Sequence, residues 1–132
     1  MHFFQGIILY LYNMIAIVGP YGHKDEKIKQ FRAITIAEAC IKLLAHGKVG
    51  ISPLAYGLGL RYVAGSELPD NYQNWDHFCR TLVSACSEVY VLNLEGWDSS
   101  VGVADEIKTA KEKGLPVYLV NYETLEIIRA LA

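Results

Sequence analysis

The chain has 132 residues, 52% of them hydrophobic and 20% charged. That length gives one compact domain and that make-up can bury a core, so disorder, low-complexity fibres and collagen-like repeats are excluded. Twelve Lys and Arg against fourteen Asp and Glu leave a net charge of −2, without the basic excess that a nucleic-acid polymer calls for. Three cysteines, an odd number, speak against a secreted disulfide scaffold and for a reducing compartment, the cytoplasm.

The first segment, 1–13, is the most apolar stretch of the chain. Its run from Gly6 is cut by Asn13 and ends at Gly19-Pro20, short of the roughly 20 apolar residues of a membrane span. It also lacks the basic n-region and small-residue cleavage site of a secretory leader. It reads as an extension, dispensable or part of an upstream start, or else an extra strand or an oligomer contact; one α/β domain then covers 14–132. A strand is predicted over 15–18, followed by the breaker cluster Gly19-Pro20-Tyr21-Gly22.

A helix follows over 25–45, with Asp25 as its cap, Gly47 after its end, and Phe31, Ile34, Ala37, Ile41 and Leu44 at helical spacing. A short strand, 48–52, is stopped by Pro53; 54–71 reads as a long loop or a loop containing a short helix. Over 72–86 the residues Trp75, Phe78, Cys79, Leu82, Val83 and Cys86 mark an amphipathic helix. A buried strand over 88–93, a loop over 94–101, a helix over 102–113, a strand over 117–120 and a last helix over 122–131 complete the chain. Strands alternating with helices pair in parallel through right-handed crossovers. The expectation is a three-layer α/β/α fold with a doubly wound parallel sheet of four or five strands.

Ligands of such sheets bind at the carboxyl ends of the strands, where strand order reverses. The loop at Gly19, Pro20 and Tyr21 should therefore face the segment Gly96 to Gly102, which includes Trp97, Asp98, Ser99 and Ser100. Ser99-Ser100-Val101-Gly102 runs into a helix N-terminus, where unpaired N–H groups attract an anion; the alternative is that one serine is simply an N-cap. Glu106 flanks the stripe Val103, Ile107 and Ala110 and has no Lys or Arg three or four residues later, so a surface ion pair does not explain it. A carboxylate there can act as nucleophile or base. Asp105 has Lys108 at i+3, and Asp76, on the flank of its own helix, has Arg80 at i+4, which are ordinary surface pairs. Two carboxylates from different helices meeting at one pocket would suit cleavage of a glycosidic bond.

Other signals lead nowhere. Gly57-Leu58-Gly59 is half a dinucleotide fingerprint with Tyr62 in place of the third glycine. Cys40, Cys79 and Cys86 read as core filler, and the histidines have no metal-ligand spacing. Tyr21, Tyr56 and Trp97 are loop aromatics able to stack on a base.

Over about 14–120 the chain resembles the nucleoside 2-deoxyribosyltransferase superfamily, including its nucleoside 5′-monophosphate N-glycosidase branch and small uncharacterised members. The resemblance rests on Gly19-Pro20-Tyr21, on Asp76, and above all on Leu94-Glu95-Gly96-Trp97-Asp98-Ser99-Ser100-Val101-Gly102 followed by Glu106, Ala110, Gly114 and Pro116-Val117. It implies a flavodoxin-like sheet and Glu106 as the nucleophile at C1′ of a ribosyl or deoxyribosyl group. Asp76 would orient the sugar or protonate the base, and Ser100 would contact a 5′-phosphate. Asn121 is similar to an asparagine that these transferases lend to a neighbouring subunit. Where the transferases place an Asp two residues before the glycine, this chain has Ser100, which points to a nucleotide and to hydrolysis.

The expectation is thus an N-glycosidase or deoxyribosyltransferase of a small nucleoside or nucleotide, without cofactor or metal, homo-oligomeric, binding neither nucleic-acid polymer nor membrane. Its rivals are a nucleotide-binding or sensing module without chemistry, and an oligomer-forming protein whose pocket is incidental.

Overall fold

The computed structural model describes residues 13–65 and 74–131. Five strands form one sheet in the order β2-β1-β3-β4-β5: β1 (Met14–Val18), β2 (Val49–Ile51), β3 (Glu88–Leu92), β4 (Val117–Val120) and β5 (Ile127–Ala130). The first four are parallel, and β5 runs antiparallel to β4. This is the flavodoxin-like order, whose switch point lies between β1 and β3.

The helices are α1 (Glu26–Ala45), α2 (Pro53–Ala64), α3 (Trp75–Ser84) and α4 (Val101–Glu112). Side chains alternate across the sheet, so each central strand feeds two cores. Ile15, Ile17, Tyr90, Leu92 and Val120 pack under α1 with Ile36, Ala39 and Leu43. Ala16, Val18, Val89, Val91, Val117 and Leu119 pack under α3 and α4 with Val83, Val103 and Ala110. Strands buried on both faces read as unbroken apolar runs, as β1 and β3 do. The result is a three-layer α/β/α unit. Of the expected extension, 1–12 lies outside the described residues; Asn13 is exposed and its Oδ1 accepts from Ser87 Oγ at 2.9 Å.

Two expectations are corrected and one is narrowed. The last helix is replaced by a turn and β5: Asn121 Oδ1 accepts from the N–H groups of Glu123 and Thr124, and Leu125 adopts φ +64°, which turns the chain back as a hairpin. This is where Asn121 spends its side-chain oxygen. The stretch after Pro53, expected as a loop or a loop containing a short helix, follows the second form with a helix of twelve residues. Ser52 caps it by accepting from Ala55 N at 3.1 Å, and Pro53 sits in its first turn, a start signal strong enough to tolerate two glycines. The remainder of the expected loop, 66–73, lies outside the described residues.

The second correction concerns α1. Asp25 caps it as expected, accepting from Lys27 N at 2.9 Å. Its buried residues, however, are Arg32, Thr35, Ile36, Ala39 and Leu43. The stripe taken from periodicity faces outward: Phe31, Ile34, Ile41 and Leu44 are 50%, 57%, 64% and 72% exposed. α1 is apolar on both sides, so spacing alone picked the wrong one.

Candidate functional site

The loops leaving β1 and β3 face each other across a crevice of about 440 Å³ at the switch point. Pro20, Tyr21, Ser99, Ser100 and Gly102 line it as the sequence suggested. Gly19 does not; it lies against Ile36, whose Cδ1 would be 3.1 Å from a Cβ at that position. Trp97 packs against the α3–α4 core with the Arg129 guanidinium 5.9 Å from its ring centre, and Asp98 is exposed on the 3-10 turn Trp97–Ser99.

Ser100 is the N-cap of α4, its Oγ accepting from Val103 N at 3.2 Å. The simpler reading of this serine is thus realised. The first N–H groups of a helix have no intrahelical partner; with Val103 capped by Ser100, those of Val101 and Gly102 remain for whatever enters the crevice these residues line. The positive end of the α4 dipole lies at the same point.

Sequence reasoning missed Arg32. Among the described residues it is the only charged residue that is buried, at 8% exposure, and it lines the crevice. Nη1 donates to Gly22 O at 2.9 Å and Tyr21 O at 3.5 Å, and Nη2 to Glu95 O at 2.8 Å. One guanidinium therefore holds the loop after β1 to the loop after β3. Gly96 adopts φ +90°, and a Cβ there would stand 2.9 Å from Nη2, so both backbone and space call for glycine. The available signal was the spacing of Arg32, Ile36, Ala39 and Leu43, a helical stripe headed by a charge.

Glu106 lies six residues beyond Ser100, about 9 Å along the axis at ~1.5 Å per residue. It does not line the crevice. Its Oε2 is sealed from solvent and has no hydrogen-bond partner among the described residues. Burial first, and the nearby charge of Asp105 second, push its pKa up to about 8, so it keeps its proton at neutral pH. Across the α3–α4 seam stands Cys79, whose thiol is pushed up to about 12 by burial and then by the charges of Glu106, Asp76 and Asp105. Glu106 and Asp76 thus share Cys79 as a neighbour, with Asp76 exposed in the first turn of α3. Arg80 pairs with Asp105 across the seam at 3.7 Å; the expected partners were Asp76 for Arg80 and Lys108 for Asp105.

A second cavity, of about 720 Å³, opens between α2 and α3 and shares Tyr21 with the crevice. Phe78 is stacked between Tyr56, at 4.9 Å, and Trp75, at 5.2 Å. Gly57 makes room for Trp75, since a Cβ on it would come within 2.2 Å of the indole. Tyr56, expected as a loop aromatic, lies in α2; Trp75 and Phe78 come from the apolar pattern expected of α3. Among the described residues no three His, Cys, Asp or Glu side chains are grouped to hold a metal.

A family model described as a domain of unknown function (DUF1937) matches residues 11–122. The chain belongs to that family. No curated protein matches it. The DUF1937 match takes in β1 to β4, Arg32, Asp76 and the whole segment from Gly96 to Glu106, and leaves β5 outside. Among the described residues no helix is long and apolar enough to cross a membrane.

Proposed function

We propose that the protein cleaves the N-glycosidic bond of a small nucleoside or nucleoside 5′-monophosphate, by hydrolysis or by transfer to a second base. The observation that carries this reading is Glu106: a carboxyl whose Oε2 is sealed from solvent without a hydrogen-bond partner among the described residues, about six residues along α4 from the crevice. Leaving a polar group in that state costs stability, and such groups gather at functional sites.

In this reading the proton of Glu106 passes to the Asp76 carboxylate, leaving Glu106 charged and Asp76 protonated. The Glu106 carboxylate oxygen then bonds to C1′ while the C1′–N bond breaks, the electron pair leaving with the base nitrogen, which takes a proton from Asp76. Water next attacks C1′, the ester bond to Glu106 breaks, and the water proton returns to Asp76; a second base in place of water makes the reaction a transfer. Tyr21, common to both cavities, would lie between the sugar end and the base. The same reading places the protein in the cytoplasm as an oligomer, which the outward apolar face of α1 supports.

The test is incubation with a panel of nucleosides and 5′-monophosphates, with free base read by chromatography. Base release that disappears in Glu106→Ala is expected; no release, or release undiminished in that variant, overturns the reading. One observation favours the rival, a nucleotide-binding module without turnover: Glu106 does not line the crevice. Saturable nucleotide binding without any base release would establish it.

A further inference from the structure

A buried charge is costly unless it is balanced, and guanidinium cannot solve the problem by losing its proton. Arg32 is balanced in hydrogen bonds but not in charge. Its partners are the three neutral carbonyls of Tyr21, Gly22 and Glu95, and no carboxylate stands within ion-pair distance among the described residues. Of its five N–H donors, the three hydrogen bonds leave two: one on Nη2 and the one on Nε. The Nη2 side is the side kept clear by Gly96.

Other groups lining the same crevice have the same sign or donate. The N-terminus of α4 adds its partial positive charge. His23 accepts the N–H of Asp25 on Nδ1 at 2.9 Å, which in the neutral ring places the proton on Nε2 as a donor. A permanent cation, a helix N-terminus and an imidazole donor thus surround one space of about 440 Å³.

We propose that Arg32 is the specificity-determining residue of this crevice: its unbalanced charge selects the doubly charged phosphate monoester end of a nucleotide over the neutral 5′-hydroxyl of a nucleoside. Its bonds to the two loops also position the N–H groups that receive the phosphate. The inference rests on the reading that this crevice takes the sugar end of the ligand. The α4 N-terminus favours an anion through partial charge alone; the guanidinium adds a full charge to that preference.

The experiment measures binding by calorimetry for a nucleoside, its 5′-monophosphate and inorganic phosphate, in the native chain, Arg32→Lys and Arg32→Met. The expected result is tighter binding of the monophosphate than of the nucleoside. A charge-assisted hydrogen bond sets the scale, so Arg32→Met should weaken the monophosphate about tenfold to a hundredfold. Nucleoside affinity, which loses only the bracing of the two loops, should fall by a clearly smaller factor, and Arg32→Lys should recover part of the monophosphate loss.

Equal affinity of the native chain for both ligands overturns the proposal, as does an equal loss of both in Arg32→Met. Should Arg32→Met fail to fold, the native comparison and Arg32→Lys decide, together with protection against thermal unfolding by inorganic phosphate but not by chloride at matched ionic strength. Binding is read without turnover. A protein that binds monophosphates through Arg32 but never releases base defeats the glycosidase reading alone, and one that releases base with indifference to the 5′-phosphate defeats this inference alone.

Discussion

Arg32 on α1 and Glu106 on α4 belong to opposite faces of the sheet, and in each an ionisable group has been taken out of water. The two are handled in opposite ways. Guanidinium holds its charge at any ordinary pH, so the chain comes to it, and three carbonyls from two loops close around Nη1 and Nη2. A carboxyl can discard its charge by keeping a proton, so no donor is supplied to Glu106 Oε2 and its pKa rises to about 8. The shape of the crevice therefore depends on Arg32 at every pH, whereas the state of Glu106 is itself a function of pH.

The largest expected effect breaks this comparison on the Glu106 side. The folded pKa, about 8, lies above the ordinary value of 4.5, so between those values the native state holds a proton that the unfolded chain has lost. This contribution is full below about pH 4.5 and is lost as pH rises towards 8, amounting to roughly a few kcal/mol. Urea unfolding at a series of pH values checks it: the decline should be present in the native chain and flattened in Glu106→Gln. The same titration bears on catalysis. If the carboxylate attacks C1′, kcat/KM rises with pH through about 8; a fall through that region would assign Glu106 the acid role instead.

On the Arg32 side, Arg32→Met leaves three carbonyls without their donor and should cost about 2–4 kcal/mol in the same unfolding experiment. Unlike the Glu106 term, this loss should be flat from pH 5 to 9. A smaller change comes from Gly96→Ala, which forces a side chain into φ +90° and against Nη2 and should cost about 1–3 kcal/mol. A crystal structure of that variant should show the guanidinium displaced and the bond to Glu95 O lengthened or broken.

The contrast between these two groups also marks what the sequence could and could not reveal. Glu106 stood out because Thr109 and Ala110 follow it where a cation would explain it away. The facing loops followed from the alternation of strands and helices, since the switch point of a parallel sheet fixes where its ligand sits. Arg32 was hidden by competition within α1. Phe31, Ile34, Ile41 and Leu44 make the more apolar of two stripes, yet the fold buries the one that contains Arg32 and Thr35. The guanidinium finds its partners on two distant loops, at Gly22 and Glu95, and no local periodicity encodes such tertiary contacts. β5 was misread for a related reason: turn chemistry at Asn121 and the positive φ of Leu125 overruled a helical spacing between Tyr122 and Leu131. The second cavity escaped because Trp75 and Phe78 lie on the same helix as Cys79 and Val83 but turn towards Tyr56 on α2 instead of the sheet.

The smallest expected effect sharpens the account of Glu106 by separating its two causes. Burial stands first and the charge of Asp105 second. Asp105 is itself 42% exposed and lies 3.7 Å from Arg80, which is 48% exposed. Charges so open to water interact weakly with their surroundings. Asp105→Asn should therefore lower the midpoint of Glu106 by less than about one pH unit, and Arg80→Ala, which removes a cation beside Asp105, should leave it unchanged or slightly higher. Carbon-detected NMR of the Glu106 carboxyl reads both. A fall to the ordinary carboxylate range in Asp105→Asn would mean that repulsion, not the dry seam between α3 and α4, keeps the proton on Glu106. Its chemistry would then be set by a neighbour at the surface instead of by the core.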